Sequence, residues 1–188
     1  MPPIPKEAYI MKTALILYFS STGNTEKVAQ ALRLGLEQAG VLVTLKKPQE
    51  AANVDYFNFD LVCVGSPAIQ WHPAKPLDDL LKAKLDAYRD QGKIKPSAPK
   101  VEGKNALVFV TYSGPHTGLD EATPAGKYIA QFFAHVGFNI IGEWYILGEY
   151  HGDIENSTKG KMGDIRGKPT ANDLLKIMQD AMTLALQI

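Results

Sequence analysis

One cysteine in 188 residues leaves no internal disulfide and no cysteine-ligated cluster. Cys63 lies inside the apolar run Leu61 to Val64 and reads as a small buried thiol. Charge of a prevailing sign is also missing: Lys plus Arg number 20, and so do Asp plus Glu. That balance offers no basic surface for nucleic acid and no polybasic membrane anchor. No apolar run reaches the length of a membrane span. The N-terminus has neither the basic region nor the long apolar stretch of a signal peptide, so the expected location is cytoplasmic. His72, His116 and His151 fall in loops without metal-ligand spacing, and no metal is expected. No catalytic base or nucleophile stands out.

What is present is a globular composition, 45% hydrophobic, with enough chain for one domain. Residues 1–10 carry three prolines and read as an N-terminal extension; the domain is expected over residues 11–188. The pattern predicts a first strand, Thr13 to Phe19, apolar on both faces as a central parallel strand is. A helix follows to Gly40, with Val28, Leu32 and Leu36 four apart. A short strand at Val41 to Leu45, a connector, and a third apolar strand at Leu61 to Gly65 come next. A helix at Pro76 to Arg89 leads through a lysine-bearing linker, residues 91–103, that reads as solvated, to a fourth strand, Asn105 to Tyr112. The helix opened by Thr123-Pro124 and a fifth strand, Ile140 to Leu147, follow. Glu143 suits an edge position in that last strand. Residues 149–168 show no periodicity, and Thr170 caps a final helix. Strands alternating with helices imply parallel pairing with right-handed crossovers.

Between the first strand and first helix stands Ser20-Ser21-Thr22-Gly23-Asn24-Thr25. The first N–H groups of a helix lack internal partners and the dipole is positive there, so this turn suits an anion. Four hydroxyls and the Asn24 amide add donors, and Gly23 allows a tight bend. The turn has no Lys-Ser/Thr pair of a Walker loop and only one of the three glycines of a dinucleotide fingerprint. It therefore reads as a hydroxyl-rich loop for a terminal phosphate. Two more loops leave neighbouring strands at their C-terminal ends: Ser66-Pro67-Ala68-Ile69-Gln70-Trp71-His72 and Thr111-Tyr112-Ser113-Gly114 through Gly118-Leu119. Ligands of open α/β sheets bind outside those ends.

The hexapeptide after a first buried strand resembles the FMN phosphate loop of flavodoxins, and the resemblance covers roughly residues 11–188. It implies an α/β three-layer sandwich with a five-stranded parallel sheet of order 2-1-3-4-5. It implies FMN as cofactor, with Ser20 to Thr25 on the phosphate. Ser66 to His72 would line one face of the ring, with Trp71 stacked on it. Thr111 to Leu119 would meet its pyrimidine end, with Tyr112 a second aromatic. Three functions stay open. One is an electron carrier for a redox partner protein. Another is an FMN-dependent oxidoreductase passing electrons from NAD(P)H to a quinone-like small acceptor. The third is a flavin-free module of the same fold. Flavodoxin carriers are typically acidic and this chain is balanced, which moves weight towards an oxidoreductase or a carrier with an unusual partner; a homo-oligomer is compatible with the oxidoreductase.

Overall fold

A computed structural model describes residues 11–188; the N-terminal extension expected over residues 1–10 lies outside the described residues. The chain runs β1 (Thr13–Tyr18), α1 (Asn24–Gln38), β2 (Leu42–Lys46), β3 (Leu61–Ile69), β4 (His72–Pro73), α2 (Lys75–Asp90), β5 (Asn105–Tyr112), α3 (Thr123–His135), β6 (Asn139–Leu147), α4 (Ile154–Thr158) and α5 (Ala171–Leu184). Five strands form a sheet in the order β2-β1-β3-β5-β6, every neighbouring pair parallel. With the short β4 set aside, this is the expected 2-1-3-4-5 order.

The double layer of helices follows from strands that are apolar on both faces. Leu15, Leu17, Val62, Val64, Val108 and Val110 face α2 and α3, where Leu77, Leu81, Ile129 and Phe133 close the core. The intervening Ala14, Ile16, Cys63, Leu107 and Phe109 face α1 and α5, against Val28, Leu32, Leu36, Ile177 and Ala181. Period-two alternation thus feeds two cores from one sheet. Cys63 is wholly buried, and burial raises its thiol pKa. β6 is an edge, and its Glu143 pairs with Lys127 at 2.9 Å. Among the described residues no helix is long and apolar enough to cross a membrane.

Three local expectations need correction. β3 does not stop at Gly65 but runs on to Ile69, because β5 continues beside it and pairs Ser66 with Val110 and Pro67 with Thr111. The chain then turns back through Gln70 and Trp71, both at positive φ (48° and 67°), and His72–Pro73 pairs antiparallel with the end of β3. A two-residue hairpin of the I′ kind requires that backbone, which Asn-Gly adopts far more readily than Gln-Trp. The lysines of residues 91–103 are not simply solvated. Lys93 lies over the Phe57 and Tyr88 rings and pairs with Asp55 at 2.7 Å, while Lys100 donates to the Phe138 carbonyl. Thr123 sits inside α3 rather than capping it, its hydroxyl donating to the Leu119 carbonyl.

Candidate functional site

The site is assembled at the C-terminal edge of the sheet, where β1, β3, β5 and β6 release their loops. Gly23 adopts φ 95°, which a glycine reaches without steric cost, and starts α1 with no side-chain cap. Ser20 closes the turn by accepting the Gly23 N–H at 3.1 Å. Ser21 and Thr22 are exposed at the mouth, while Asn24 and Thr25 are buried below them. Thr25 Oγ1 shares a hydrogen with Thr111 Oγ1 at 2.7 Å, which joins the helix start to the end of β5.

A cleft of about 350 Å3 opens above this turn. Ser21, Thr22, Asn24 and Thr25 form one wall, Pro67, Ala68 and Ile69 a second, and Thr111, Tyr112 and Ser113 a third. Among the described residues it has no lysine or arginine lining. An anion here would be held by N–H and O–H dipoles and the α1 dipole. Burial raises the Tyr112 phenol, which stays neutral. A second cleft of about 410 Å3 continues past Tyr112 towards the hairpin tip, lined by Trp71, Gly114, Pro115, His116 and Glu121 among others. Trp71 is 60% exposed there. Together these give a hydroxyl-lined end and an aromatic, partly apolar end.

Not all the expected residues reach the clefts. Ser66 is consumed by the hairpin: its hydroxyl donates to the Pro67 carbonyl and accepts the Ala74 N–H. His72 turns to an edge-on contact with Tyr128, ring centroids 6.0 Å apart. Gly118 and Leu119 lie beyond both linings, in the turn that leads to α3. Ser20 and Gly23 shape the turn without lining the cleft.

A fourth wall comes from the segment after β6, which the sequence leaves without pattern. Gly148, Glu149, Tyr150, His151 and Gly152 all line the first cleft. The segment is ordered by specific contacts. Asn24 Nδ2 donates to the Glu149 carbonyl at 2.9 Å, and Ser113 donates to the Gly148 carbonyl. Glu149 N–H donates to the Lys168 carbonyl, and the Glu149 carboxylate accepts the Gly167 N–H. The short α4 and the buried Ile165 and Ser157 fill its interior. Lys159, Arg166 and Lys168 pair with Glu155, Asp164 and Asp173, so they do not form an open cationic patch. Arg166 holds the Asp164 carboxyl down at about 2. Its traces in the sequence are the long stretch without periodicity and the glycines at 148, 152, 160, 163 and 167.

Asn24 carries one further feature: its Oδ1 is buried and has no hydrogen-bond partner. The Nδ2 bond to Glu149 fixes the amide's orientation, so the orphan is an acceptor that calls for a donor. No cluster of His, Cys, Asp or Glu suited to a metal occurs among the described residues.

Fold and site define a doubly wound α/β protein with an uncapped, hydroxyl-lined helix start at its switch point. The flavodoxin family model matches residues 16–179, and the chain belongs to that family. Flavodoxin 1 of Bacillus cereus superposes with a TM-score of 0.67 at 13% identity, covering 94% of this chain and 99% of the other. A Streptococcus pneumonia TIGR4 flavodoxin gives 0.63 at 19% identity, covering 94% and 99%. In sequence, NAD(P)H dehydrogenase (quinone) 3 of Rhizobium meliloti (strain 1021) is 26% identical over 152 residues, 70% of this chain. The match spans 66% of that relative's length.

Proposed function

We propose that the protein is an FMN-dependent redox protein that holds its flavin non-covalently in the two joined clefts. The observation that carries this reading is an uncapped helix start, lined by Ser21, Thr22 and Thr25, that opens into a cleft shared with Tyr112 and continuing to Trp71. A phosphate suits the helix start and a flat ring the aromatic end, and FMN carries both. The aromatic cleft at Trp71 and Tyr112 suits its ring. Bound there, FMN supplies the electron chemistry. The chain's own work is to fix the phosphate by dipoles, keep water off one face of the ring with Trp71, and keep the Tyr112 phenol protonated beside it.

A second reading, an NAD(P)H oxidoreductase acting on a quinone-like acceptor, has two supports. The net charge is zero, unlike the acidic surface that steers a carrier to basic partners. The Rhizobium meliloti relative bears that activity in its name. One experiment addresses both readings. The purified chain is mixed with FMN, passed through gel filtration, and its visible spectrum followed during anaerobic addition of NADH or NADPH. Retained yellow colour is expected; its absence refutes the FMN reading. Rapid loss of colour with a nicotinamide supports the oxidoreductase. Loss only with dithionite supports the carrier.

A further inference from the structure

Five residues line both clefts: Ala68, Ile69, Tyr112, Ser113 and Tyr150. Four come from the ends of β3 and β5 or the residue beyond; Tyr150 alone comes from the segment after β6. That segment is pinned on both sides of the tyrosine. Asn24 holds the Glu149 carbonyl, and the buried Ser157 hydroxyl donates to the Tyr150 carbonyl at 2.6 Å. Gly152 leaves room for the phenol ring, since a Cβ there would come within 2.9 Å of it. Gly148 leaves room for the Asn24 amide, which a Cβ would approach to 2.7 Å. The ring itself is 43% exposed. An aromatic held this firmly by its backbone, yet left uncovered where two clefts meet, lacks an apolar partner on one face.

From the position of Tyr150 between the two clefts, fixed through the Asn24–Glu149 bond, we infer that its ring is a wall of the flavin ring site. Asn24 is the positioning residue for that wall. The inference rests on the FMN reading above. It adds an aromatic from an element that the phosphate loop reaches directly. Phosphate turn and ring wall are then coupled through one amide, whose Nδ2 holds the Glu149 carbonyl next to Tyr150.

The test is a titration of the apoprotein with FMN and with riboflavin, read by quenching of flavin fluorescence. The variants are Tyr150→Phe, Tyr150→Ala and Gly148→Ala. Tyr150→Ala should weaken both flavins about five- to ten-fold, the scale of one aromatic contact. The bound flavin should also be less quenched. Tyr150→Phe should match the wild type. Gly148→Ala, with the tyrosine intact, should reproduce the loss of quenching by pushing the wall off Asn24. Circular dichroism of each variant checks that it is folded. Equal affinity and quenching for Tyr150→Ala and wild type would overturn the inference alone. A loss for FMN without one for riboflavin would also overturn it, by assigning the residue to the phosphate. A wild type that binds neither flavin would overturn the FMN reading and the inference with it.

Discussion

Thr25 Oγ1 and Thr111 Oγ1 meet at 2.7 Å in the interior, although 86 residues separate them in sequence. Two hydroxyls in one hydrogen bond use one hydrogen and leave the other free to donate. Both threonines line the first cleft, but Thr25 is the one on the turn that starts α1, where Thr111 orients its hydroxyl. The expected outcome of Thr25→Val, which keeps the buried volume, is a loss of about 1.5–3 kcal/mol of FMN affinity, the range for a hydrogen bond to a charged group. Riboflavin, which has no phosphate, should bind as before. Calorimetric titration with the two ligands makes the comparison, and equal losses for both would assign Thr25 to the ring or chain of the flavin instead.

The hairpin tip predicts a conflict between stability and binding. Trp71 holds φ 67° with a largely exposed side chain, so its backbone conformation is costly and its indole gains little from packing. Glycine adopts that backbone freely. Trp71→Gly should therefore leave the apoprotein unchanged or more stable by up to about 1 kcal/mol in urea unfolding. It should also weaken FMN and raise the potential of the bound flavin, because an apolar wall disfavours the charged reduced form. A clear loss of apoprotein stability would mean that the indole packs on the protein and not on the ligand.

Much of this was legible because the signals were local and strong. Strands apolar on both faces at Thr13–Tyr18, Leu61–Val64 and Asn105–Tyr112 demand helices on both sides, and the hydroxyl-rich turn at Ser20 to Thr25 borders the first cleft. The extension of β3 through Pro67 was not legible, since it depends on β5 continuing alongside. The hairpin at Gln70–Trp71 was hidden because neither residue favours positive φ. The fourth wall was hidden for a different reason. Gly148 and Gly160 are required by close approach to Asn24 and Pro115, contacts between distant parts of the chain that leave no periodic trace.

Acid should loosen the opposite edge of the sheet. The Asp60 carboxylate accepts the Thr13 N–H at 2.8 Å and the Thr13 hydroxyl at 3.0 Å, tying β1 to the start of β3. Partial burial works to raise its pKa, but the Thr13 donors, with Lys12 and Lys104 nearby, outweigh that and hold it below the ordinary value. A carboxyl lowered on folding contributes stability that is complete above its unfolded pKa of about 3.9. That contribution is lost as pH falls through the folded value. Asp60→Asn should cost about 1.5 kcal/mol at pH 7 and flatten the decline of stability below about pH 4. Urea unfolding across that range tests the sign; parallel curves for variant and wild type would remove Asp60 from the acid response.

The packing of α1 on α5 ties stability to the site. Gly35 is buried on the face of α1 turned to α5. A Cβ there would collide with the Met178 carbonyl oxygen and come within 2.7 Å of Ala181 Cβ. Alanine favours the helix by up to about 1 kcal/mol, but forcing a methyl into a close-packed contact costs about 1–3 kcal/mol. The obstacle includes backbone, which cannot swing aside as a side-chain tip can, so the steric cost should prevail. Gly35→Ala is expected to lower unfolding free energy by about 1–2 kcal/mol. Because α1 carries Asn24 and Thr25 at its other end, a displaced helix should also weaken FMN binding. A variant that loses stability but binds FMN normally would show that the helix yields locally at residue 35 and leaves its N-terminal turn in place.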